Sequence, residues 1–429
     1  MTAANFITAR DLFLGHHWRR YPAWQENLEG FRIGRVVGRD KDEFVLRDYR
    51  SFEAPESRLN SDELRWHVES FREPKAGESA PPVQEVLRVG DWVGISKSGE
   101  VLLFAPCVRP VAVQEGDLLC DKARKWSIFL TGVRQFFEAR GFQEMTTPAL
   151  AVSPGTEPFL DPLSIEIEFA GLHERRYLVT SPEFHLKKIL GSGVPRIFEI
   201  AKCFRNKESG HQHRIEFHML EWYRAFSDLE KIADDVEGLI RHFRPGVGLY
   251  RTTMAALFKR FVEFDLRSDS SRDDLARLAV ENRIRVLPDD SFDDLFHKVF
   301  LECIESRLGE LADGSPVLIT DYPPSQAALS RIGDNGFAQR FEVYWRGLEL
   351  CNAFHELNDP SENQRRFDRD LFAKRQTGRE PVPIDEELMR VFEEGVPPAA
   401  GIALGLERLF MAVFEVDAIE HTRPFATFV

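Results

Sequence analysis

The hydrophobic pattern of the chain changes its period near residue 115, and this change limits the possible folds more than any other feature. Residues 31–48 and 86–111 alternate apolar and polar side chains in short runs, which is typical of half-buried strands. In residues 121–140 the apolar side chains recur at helical spacing instead, and Gly141 fits the end of that helix. The sequence therefore predicts a small domain of strands followed by a larger domain that contains helices.

These two domains are predicted to cover residues 1–115 and 116–429. The first is expected to form a small β-barrel, interrupted by a charged, proline-containing insertion at 50–85. In the second, strands are separated by long excursions, including a mostly helical insertion at about 225–315. An α+β fold with a mainly antiparallel sheet flanked by helices is therefore favoured over a doubly wound sheet. The predicted strands of the larger domain are 176–180, 197–203, 214–223, 316–320, 340–351 and 401–404.

The composition limits the partners and the compartment. The 429 residues carry a formal net charge of −14, which argues against a protein held to nucleic acid by diffuse electrostatics, although a local basic cleft remains open. No run of about 18 apolar residues occurs and the N-terminus does not resemble a signal peptide, so a cytoplasmic protein that does not enter a membrane is expected. The five cysteines form no C-x-x-C pair, which favours neither a zinc site nor a disulfide framework: Cys107, Cys120, Cys203, Cys303 and Cys351.

The segment 204–224 combines cations, carboxylates and aromatic rings. Arg205 directly follows the apolar run "IFEIAKCF" at the end of a predicted strand, and Phe217 lies twelve residues further on. The chain has no G-x-x-x-x-G-K-[ST] loop, so a bound nucleoside triphosphate would need fixed guanidinium groups for its phosphates. Phe217 and Arg408 would then stack on the two faces of the base. The alternative is that both arginines lie on the surface and that Phe217 belongs to the core.

Acidic side chains recur in the segment 340–357. Glu342 and Glu349 are seven residues apart, and a β-bulge at the Arg346–Gly347 step would let both approach one ion. Two carboxylates beside nucleotide phosphates make a Mg²⁺ site. The alternative is that these acids point outward from an exposed strand. Against it, the strand is rich in aromatic residues, and an unpaired carboxylate in such surroundings would be costly.

Three histidines, His211, His213 and His218, lie close together in the sequence. Their spacing matches none of the common zinc patterns, and no cysteine joins them. A loop of polar contacts is therefore favoured over a metal site.

Taken in order, these segments resemble the three motifs of the class II aminoacyl-tRNA synthetases. "GFQEMTTPAL" with Pro148 resembles motif 1, "FRNKESGHQHRIEF" resembles motif 2, and "GIALGLERL" with Arg408 resembles motif 3. Further segments resemble the lysine branch of this class: "TSPEFHLKKIL", "MLEWYRAFSDL", "PPSQAAL", "RFEVYWRGLEL", "NAFHELNDP" and "GVPPAAGIALGLERL". The resemblance covers about 120–429 and implies ATP and Mg²⁺ as cofactors and a homodimer with Pro148 near the interface.

Two families within this branch fit the sequence. Lysyl-tRNA synthetases join lysine to tRNA and carry an N-terminal OB-fold, whereas the elongation factor P lysine ligases activate (R)-β-lysine and attach it to a lysine of elongation factor P. Ser181, Trp222 and Ala403, together with the "SQAAL" segment, resemble the ligases. The ligase interpretation is therefore preferred, with elongation factor P as the acceptor and a lysine-type amino acid as the substrate.

The N-terminal domain keeps the tRNA alternative open. Its pattern loosely resembles an OB-fold of this class, which implies a barrel that binds RNA through aromatic and basic side chains. Phe44, Arg47 and Tyr49 are the candidates, but the acidic composition disfavours strong tRNA binding. A further alternative is a synthetase-like binding protein without turnover, although the presence of Arg205 and Arg408 argues against it.

The resemblance also implies roles for individual residues. Arg205 and Arg408 are the expected catalytic residues, and Glu342 and Glu349 are the expected Mg²⁺ ligands. The residues expected to bind ATP are Arg205, Asn206, Glu208, His213, Phe217, Glu342 and Arg408. Those expected to bind the amino acid are Ser181, Glu183, Glu221, Tyr223, Asn352, Phe354, Glu356 and Ala403. In this assignment the acids meet the ammonium groups of the substrate, whose carboxylate meets Arg205.

Three positions are expected to change the site: two depart from the family pattern, and the third, Trp222, resembles the ligases and not the synthetases. Lys207 lies where motif 2 normally has a glutamate that contacts adenine, so either Glu208 takes that role through a shifted turn or the ATP site is altered. Ala353 replaces a common glycine and is expected to narrow the pocket beside Asn352. Trp222 is expected to shape a wall of the same pocket.

Overall fold

The computed structural model describes residues 31–40, 43–48, 63–67, 70–71, 87–96, 100–105, 107 and 113–425. The chain forms two compact units, Met1–Lys125 and Trp126–Val429. None of the helices in these described ranges is both long and apolar enough to span a membrane.

The described strands of the first unit form a six-stranded sheet. They are β1 (Phe31–Asp40), β2 (Glu43–Asp48), β3 (Glu63–His67), β4 (Ser70–Phe71), β5 (Trp92–Ser96) and β6 (Glu100–Ala105). In the sheet they run in the order β3-β2-β1-β5-β6-β4, and the neighbours are antiparallel except β4 and β6. The closure of this sheet into an OB-like barrel stays a prediction. Of the candidate RNA-binding residues, Phe44 and Arg47 lie on β2, whereas Tyr49 lies outside the described residues.

The second unit combines strands and helices. Its strands are β7 (Gln143–Glu144), β8 (Leu150–Ala151), β9 (Ser164–Phe169), β10 (Leu172–Leu178), β11 (Arg196–Phe204), β12 (Glu216–Ala225), β13 (Tyr250–Thr253), β14 (Val317–Tyr322), β15 (Ala338–Trp345), β16 (Leu348–His355) and β17 (Ala399–Gly405). Helix α1 (Val113–Glu138) leads into this unit. The helices that follow are α2 (Glu183–Gly191), α3 (Leu229–Phe243), α4 (Met254–Val262), α5 (Arg272–Glu281), α6 (Phe292–Val299), α7 (Pro360–Gln376), α8 (Glu386–Glu394) and α9 (Leu406–Phe414).

Eight of these strands form the central sheet of the second unit. They run in the order β13-β14-β15-β16-β17-β12-β11-β7. The five inner pairings are antiparallel, and the two edge pairings, β13 with β14 and β11 with β7, are parallel. This large mixed sheet, flanked by helices, confirms the predicted α+β class.

One hydrophobic core of the second unit lies between α1 and the sheet. Phe129 and Phe137 on α1 and Phe198 and Trp222 on the sheet are fully buried there. The Phe137 ring stacks on Phe198 with the ring centroids 4.9 Å apart. Burying large aromatic side chains stabilises the contact through the hydrophobic effect, at roughly 1.5–3 kcal/mol for each fully buried side chain. The apolar side chains that recur at helical spacing in the sequence therefore form the face of α1 that covers this side of the sheet.

The segment predicted as a single strand at 340–351 is a hairpin. β15 ends at Trp345 and β16 begins at Leu348. Between them, Arg346 and Gly347 have φ angles of 54° and 74°. Positive φ at both central positions makes a tight two-residue hairpin turn, so the predicted bulge at this step is wrong.

A bulge does occur deeper in the same hairpin. The register shifts between Val343 and Tyr344, where Leu350 is the extra residue of β16. Because side chains alternate along a strand, an extra residue reverses the faces beyond it. Glu349 therefore lies on the same face of the sheet as Glu342.

The insertion between β12 and β14 is mostly helical, as predicted. Ser271 caps α5, accepting a hydrogen bond from the backbone N–H of Asp274, and the Asp274 side chain accepts one in return. Ser291 and Asp294 form the same capping box at α6. These caps satisfy backbone donors that a helix start leaves free. The short strand β13 is absent from the sequence prediction.

Candidate active site

A pocket of the second unit opens on the face of the sheet opposite the aromatic core. Its volume is about 340 Å³, which is in the usual range for a small-molecule site. Its walls come from α2, the turn between β11 and β12, strands β12, β16 and β17, the first turn of α9, and the loop at 153–161. Twelve predicted site residues line it: Ser181, Glu183, Arg205, Glu208, His213, Phe217, Glu221, Glu349, Asn352, Phe354, Ala403 and Arg408. Asn206, Tyr223, Glu342 and Glu356 do not line it directly.

Arg205 and Phe217 face each other at one end of this pocket. Arg205 follows β11 directly, and Phe217 lies on β12 opposite Cys203. The guanidinium carbon of Arg205 is 5.2 Å from the centre of the Phe217 ring. Arg205 Nε is buried and forms no hydrogen bond with the described residues. A buried donor without a partner is costly, so this guanidinium is suited to an anionic ligand.

Arg408 lies beside them on the first turn of α9. Its Nη1 donates to the backbone oxygen of Glu349 at 2.8 Å, and its Nη2 lies 2.6 Å from His213 Nε2. Desolvation and the positive charge of Arg408 lower the pKa of His213. A neutral imidazole accepts the hydrogen bond from the arginine, so His213 fixes the Arg408 side chain rather than repelling it.

The turn after Arg205 brings Glu208, and not Lys207, into the pocket. Lys207 has a φ angle of 65°, and its ammonium lies 2.9 Å from Asp161 Oδ2 on the protein surface. Glu208 lines the pocket, with one carboxylate oxygen 3.9 Å from Arg205 Nη1. Of the two alternatives for Lys207, this geometry favours the shifted turn. Asn206 pairs with Asp161 across an isolated bridge and stays outside the pocket.

The two predicted Mg²⁺ ligands lie in different surroundings. Glu349 lines the pocket, whereas both oxygens of Glu342 already have partners: Arg340 binds one, and Tyr322 and Tyr344 donate to the other at 2.6 and 2.8 Å. Desolvation and the nearby Glu342 carboxylate raise the pKa of Glu349 to about 7. Such like-charge repulsion is relieved by a bound cation.

The residues therefore fit Mg²⁺ in part. Among the described residues, no three His, Cys, Asp or Glu side chains form a metal-binding group. Mg²⁺ needs no such group, because it often binds through one or two carboxylates together with substrate phosphates. Glu349 suits that arrangement. Glu342 lies close enough for its charge to act on Glu349, but its oxygens already accept hydrogen bonds from other residues.

The other end of the pocket is acidic and buried. Glu221 is 1% exposed, and its Oε2 accepts a hydrogen bond from the Tyr223 hydroxyl at 3.1 Å. Its Oε1 has no hydrogen-bond partner among the described residues. Burial, followed by the charge of Glu183, raises the pKa of Glu221 well above its usual range. A positively charged ligand would strongly stabilise the ionised form of this buried acid.

Glu356 lies behind the same end of the pocket. It follows β16, is 3% exposed, and lies next to Gly401 on β17. A Cβ atom at Gly401 would collide with the Tyr223 ring and come within 2.6 Å of Glu356 Oε1. Burial raises the pKa of Glu356 to about 7 even though Lys187 opposes that shift. The glycine thus makes room for two of the predicted substrate-binding side chains.

Two predicted wall residues of the pocket belong to the core instead. Trp222 and Ala353 are fully buried in the cluster that packs against α1. Trp222 directly follows the pocket residue Glu221 on β12, and Ala353 lies between the pocket residues Asn352 and Phe354 on β16. Successive side chains of a strand point to opposite faces. The expectations that Trp222 shapes a wall and that Ala353 narrows the pocket are therefore wrong.

Comparison with known proteins identifies the family to which this unit belongs. A family model described as tRNA synthetases class II (D, K and N) matches residues 121–428. The chain belongs to this family. The elongation factor P--(R)-beta-lysine ligase of Haemophilus ducreyi is 36% identical over 305 residues, which cover 70% of this chain and 92% of that protein. The ligase of the same name from Vibrio vulnificus is 35% identical over 317 residues, covering 71% of this chain and 95% of that protein.

The class II synthetase domain also contains site residues that the sequence analysis missed. Lys187 contacts Glu183 and lies behind the pocket wall. Its spacing of four residues from Glu183 is a usable signal, but that spacing is common for exposed helical ion pairs. Glu407 lines the pocket and accepts from the backbone N–H and Nδ1 of His218 at 2.9 and 2.8 Å. The sequence gives no signal for this contact, because His218 on β12 and Glu407 on α9 are far apart in the chain.

Proposed function

We propose that this class II synthetase domain is an ATP-dependent ligase that activates (R)-β-lysine, or lysine, as an acyl-adenylate and transfers it to a lysine side chain of elongation factor P. The observation that carries the proposal is a pocket with cations at one end and buried carboxylates at the other. ATP is anionic and a lysine-type amino acid carries ammonium groups, so each end suits one substrate. The names of the relatives support (R)-β-lysine and elongation factor P as the specific pair.

In the first step, a carboxylate oxygen of the amino acid attacks the α-phosphorus of ATP, and the bond to pyrophosphate breaks. Arg205 holds the α-phosphate and the attacking carboxylate in one place, because its planar guanidinium binds oxygens bidentately. Phe217 and Arg408 hold the adenine ring, and Glu208 meets the adenine amino group. Mg²⁺, held by Glu349 with Glu342 behind it, would neutralise the charge of the leaving pyrophosphate.

The acidic end orients the amino acid during this step. Glu221, supported by the Tyr223 hydroxyl, and Glu356 bind one ammonium group, while Glu183 and Ser181 meet the other. Asn352 helps to orient the carboxylate, and Phe354 and Ala403 shape the floor. Because these acids are buried, a neutral side chain in place of either ammonium would leave a carboxylate unpaired, which gives strong discrimination.

In the second step, the amine of an acceptor lysine attacks the acyl carbon. The bond from that carbon to AMP breaks, AMP leaves, and the nitrogen loses a proton. A tRNA 3′-hydroxyl is the alternative nucleophile. The six-stranded sheet of the first unit favours that alternative, since it lies before the family match at 121–428 and is predicted to be OB-like.

The acceptor is tested by supplying purified protein with ATP, labelled (R)-β-lysine or lysine, and either elongation factor P or total tRNA. We expect label on elongation factor P, more with (R)-β-lysine than with lysine, and pyrophosphate exchange that depends on the amino acid. Labelled tRNA with unlabelled elongation factor P would reject the ligase function. The absence of exchange with both amino acids would favour a binding protein without turnover.

We also propose a homodimer that uses the motif 1 region. Pro148 is exposed there, and beside it Leu150 and Val152 are 40% and 50% exposed. Apolar side chains exposed together are typical of an interface. Light scattering at micromolar concentration should give twice the mass of the chain, and a monomer would contradict this proposal.

A further inference from the structure

Lys187 is a buried cation at the acidic end of the pocket, where the proposed reaction assigns it no role. Its side chain is 1% exposed. Its Nζ lies 2.5 Å from Glu183 Oε1 and 2.7 Å from Glu356 Oε2. A buried ammonium is stable only when carboxylates or other acceptors surround it. Lys187 therefore bridges two of the acids that the proposed function gives to the substrate.

We propose that Lys187 is a positioning residue for the amino acid: it cross-links Glu183 and Glu356 so that each keeps its second oxygen for the substrate, and it cancels one negative charge of the pocket. The inference rests on the proposed function, because it concerns the amino-acid end of the same site. The charge of Lys187 would then set how many ammonium groups the pocket can bind.

The charges of this end match a substrate with two ammonium groups. When ionised, Glu183, Glu221 and Glu356 carry three negative charges, and Lys187 carries one positive charge. The two negative charges that remain equal the two ammonium groups of a lysine-type amino acid. Without Lys187, a third buried carboxylate would lack a partner, and it would take up a proton instead.

Neighbouring strands and loops bring other polar groups to this cluster. Tyr223 on β12 donates to Glu221, and burial, followed by the charge of Glu221, raises its pKa so that it stays neutral. Arg331, in the loop before β15, donates its Nε to the backbone oxygen of Glu356 at 2.9 Å rather than to the carboxylate. Neither group replaces the ammonium of Lys187 between the two acids.

Two further acids line the pocket near this cluster, Glu157 and Asp370. Glu157 lies in the loop at 153–161, and burial, followed by the charge of Glu183, raises its pKa although Arg205 and Lys374 oppose that shift. Asp370 on α7 lies 3.7 Å from Arg369. The ion pairs of Lys187 are with Glu183 and Glu356, and not with either of these acids.

The ionisation of the acids depends on Lys187. Burial opposes the positive charge of Lys187, but the carboxylates of Glu183 and Glu356 outweigh it and raise its pKa. Burial raises the pKa of Glu356 to about 7, Lys187 lowers it, and Glu183 raises it further. Loss of the Lys187 charge would therefore move the pKa of Glu356 upward. At neutral pH a proton would then occupy the carboxylate that the substrate ammonium needs.

The test compares K187M and K187R with the wild-type protein in amino-acid-dependent pyrophosphate exchange, from pH 6 to pH 9. In the wild type, the KM for the amino acid should fall with a midpoint near pH 7. In K187M we expect that midpoint to rise by about one pH unit or more. The KM at pH 7 should then rise about fivefold or more, since one pKa unit is a factor of ten and the wild-type acid is half ionised at its midpoint. K187R keeps the charge and should restore the midpoint, and the KM for ATP should stay unchanged in both.

Lys188 offers a matched control on the next position of α2. It pairs with Asp385 and Glu387 at 2.8 Å and lies outside the pocket, so K188M should behave like the wild type. A K187M protein with the wild-type midpoint would overturn the proposal, and so would a loss of kcat without a change in KM or midpoint. Should K187M not fold, the same comparison is made between E183Q and E183Q/K187M, where the double variant should have the higher midpoint. Wild-type protein without any exchange would instead reject the proposed function.

Discussion

The two ends of the pocket differ in exposure as well as in charge. At the nucleotide end, the side chains of Arg205 and Arg408 are 28% and 21% exposed. At the amino-acid end, Glu221, Glu356 and Lys187 are between 1% and 3% exposed. The nucleotide end is therefore the open end of the pocket, and the amino-acid end is the closed end. Water screens the charges of the open end, so that end can bind ATP and release pyrophosphate. The closed end has little water, and each uncompensated charge there is costly, which suits it for selecting one amino acid.

The largest effect is expected from the loss of a cation at the open end. Arg205→Ala removes the guanidinium assigned to the α-phosphate and the attacking carboxylate. We expect kcat/KM for pyrophosphate exchange to fall by on the order of a hundredfold or more, as for other groups that stabilise developing charge. Arg205→Lys should recover part of this loss, because an ammonium keeps the charge but not the planar fork.

Lys202, on the strand β11 that Arg205 follows, is the control for this change. It is 61% exposed and its nearest acid, Glu216, is 3.9 Å away. Lys202→Ala should leave exchange within about twofold of the wild type, because exposed ion pairs contribute little. Equal activities of the Arg205→Ala and Lys202→Ala proteins would show that Arg205 does not bind the α-phosphate and the attacking carboxylate.

An intermediate effect is expected from adding one methyl group to the closed end. In Gly401→Ala the new Cβ would push against the Tyr223 ring and Glu356 Oε1. Overpacking of this kind costs about 1–3 kcal/mol of stability. We expect a lower Tm and roughly a tenfold higher KM for the amino acid, with the KM for ATP unchanged.

Gly309→Ala is the matched control, because a Cβ at Gly309 meets nothing within 4 Å. It should keep the wild-type KM values. If Gly401→Ala raised the KM for ATP as much as that for the amino acid, the two ends would not act as separate sites.

The last effect is expected from pH, and it changes the KM for the amino acid without the loss of stability expected for Gly401→Ala. An ammonium group binds the ionised form of Glu356, whose pKa in the free pocket is raised to about 7. Binding therefore tightens as pH rises through 7, and the KM for the amino acid should fall about tenfold between pH 6 and pH 8 at saturating ATP. The substrate ammonium groups stay charged over this range, because alkyl amines ionise near pH 10.

Glu356→Gln should raise the KM and abolish this part of the pH dependence. The pKa of Glu349 at the open end is also about 7, so the KM for ATP is measured separately over the same range. A flat profile for the amino acid in the wild-type protein would show that Glu356 does not meet the substrate.

Much of the open end could be predicted from the sequence, because its residues lie close together along the chain. Arg205, Glu208 and Phe217 belong to one turn and the strand that follows it, and all three line the pocket. The alternation of β12 also places Glu221 in the pocket and Trp222 in the core, so the error about Trp222 came from neglecting a period that the sequence shows. At the amino-acid end, Glu183, Glu221 and Glu356 are also predicted from the sequence. Lys187 is missed there, and its partner Glu356 comes from a distant segment.

The sequence by itself determined the local periods, the order of the motifs, the chain's family and the types of side chain available for phosphate and ammonium groups. Only the tertiary structure decided which of them meet. The hairpin turn at Arg346–Gly347 and the extra residue at Leu350 set the face of Glu349. The packing of α2 against β11 and β12 brought Lys187 to Glu356, the residue that follows β16. The physical reason is that local patterns fix which side of an element is apolar, whereas register and burial depend on contacts between residues far apart in the chain.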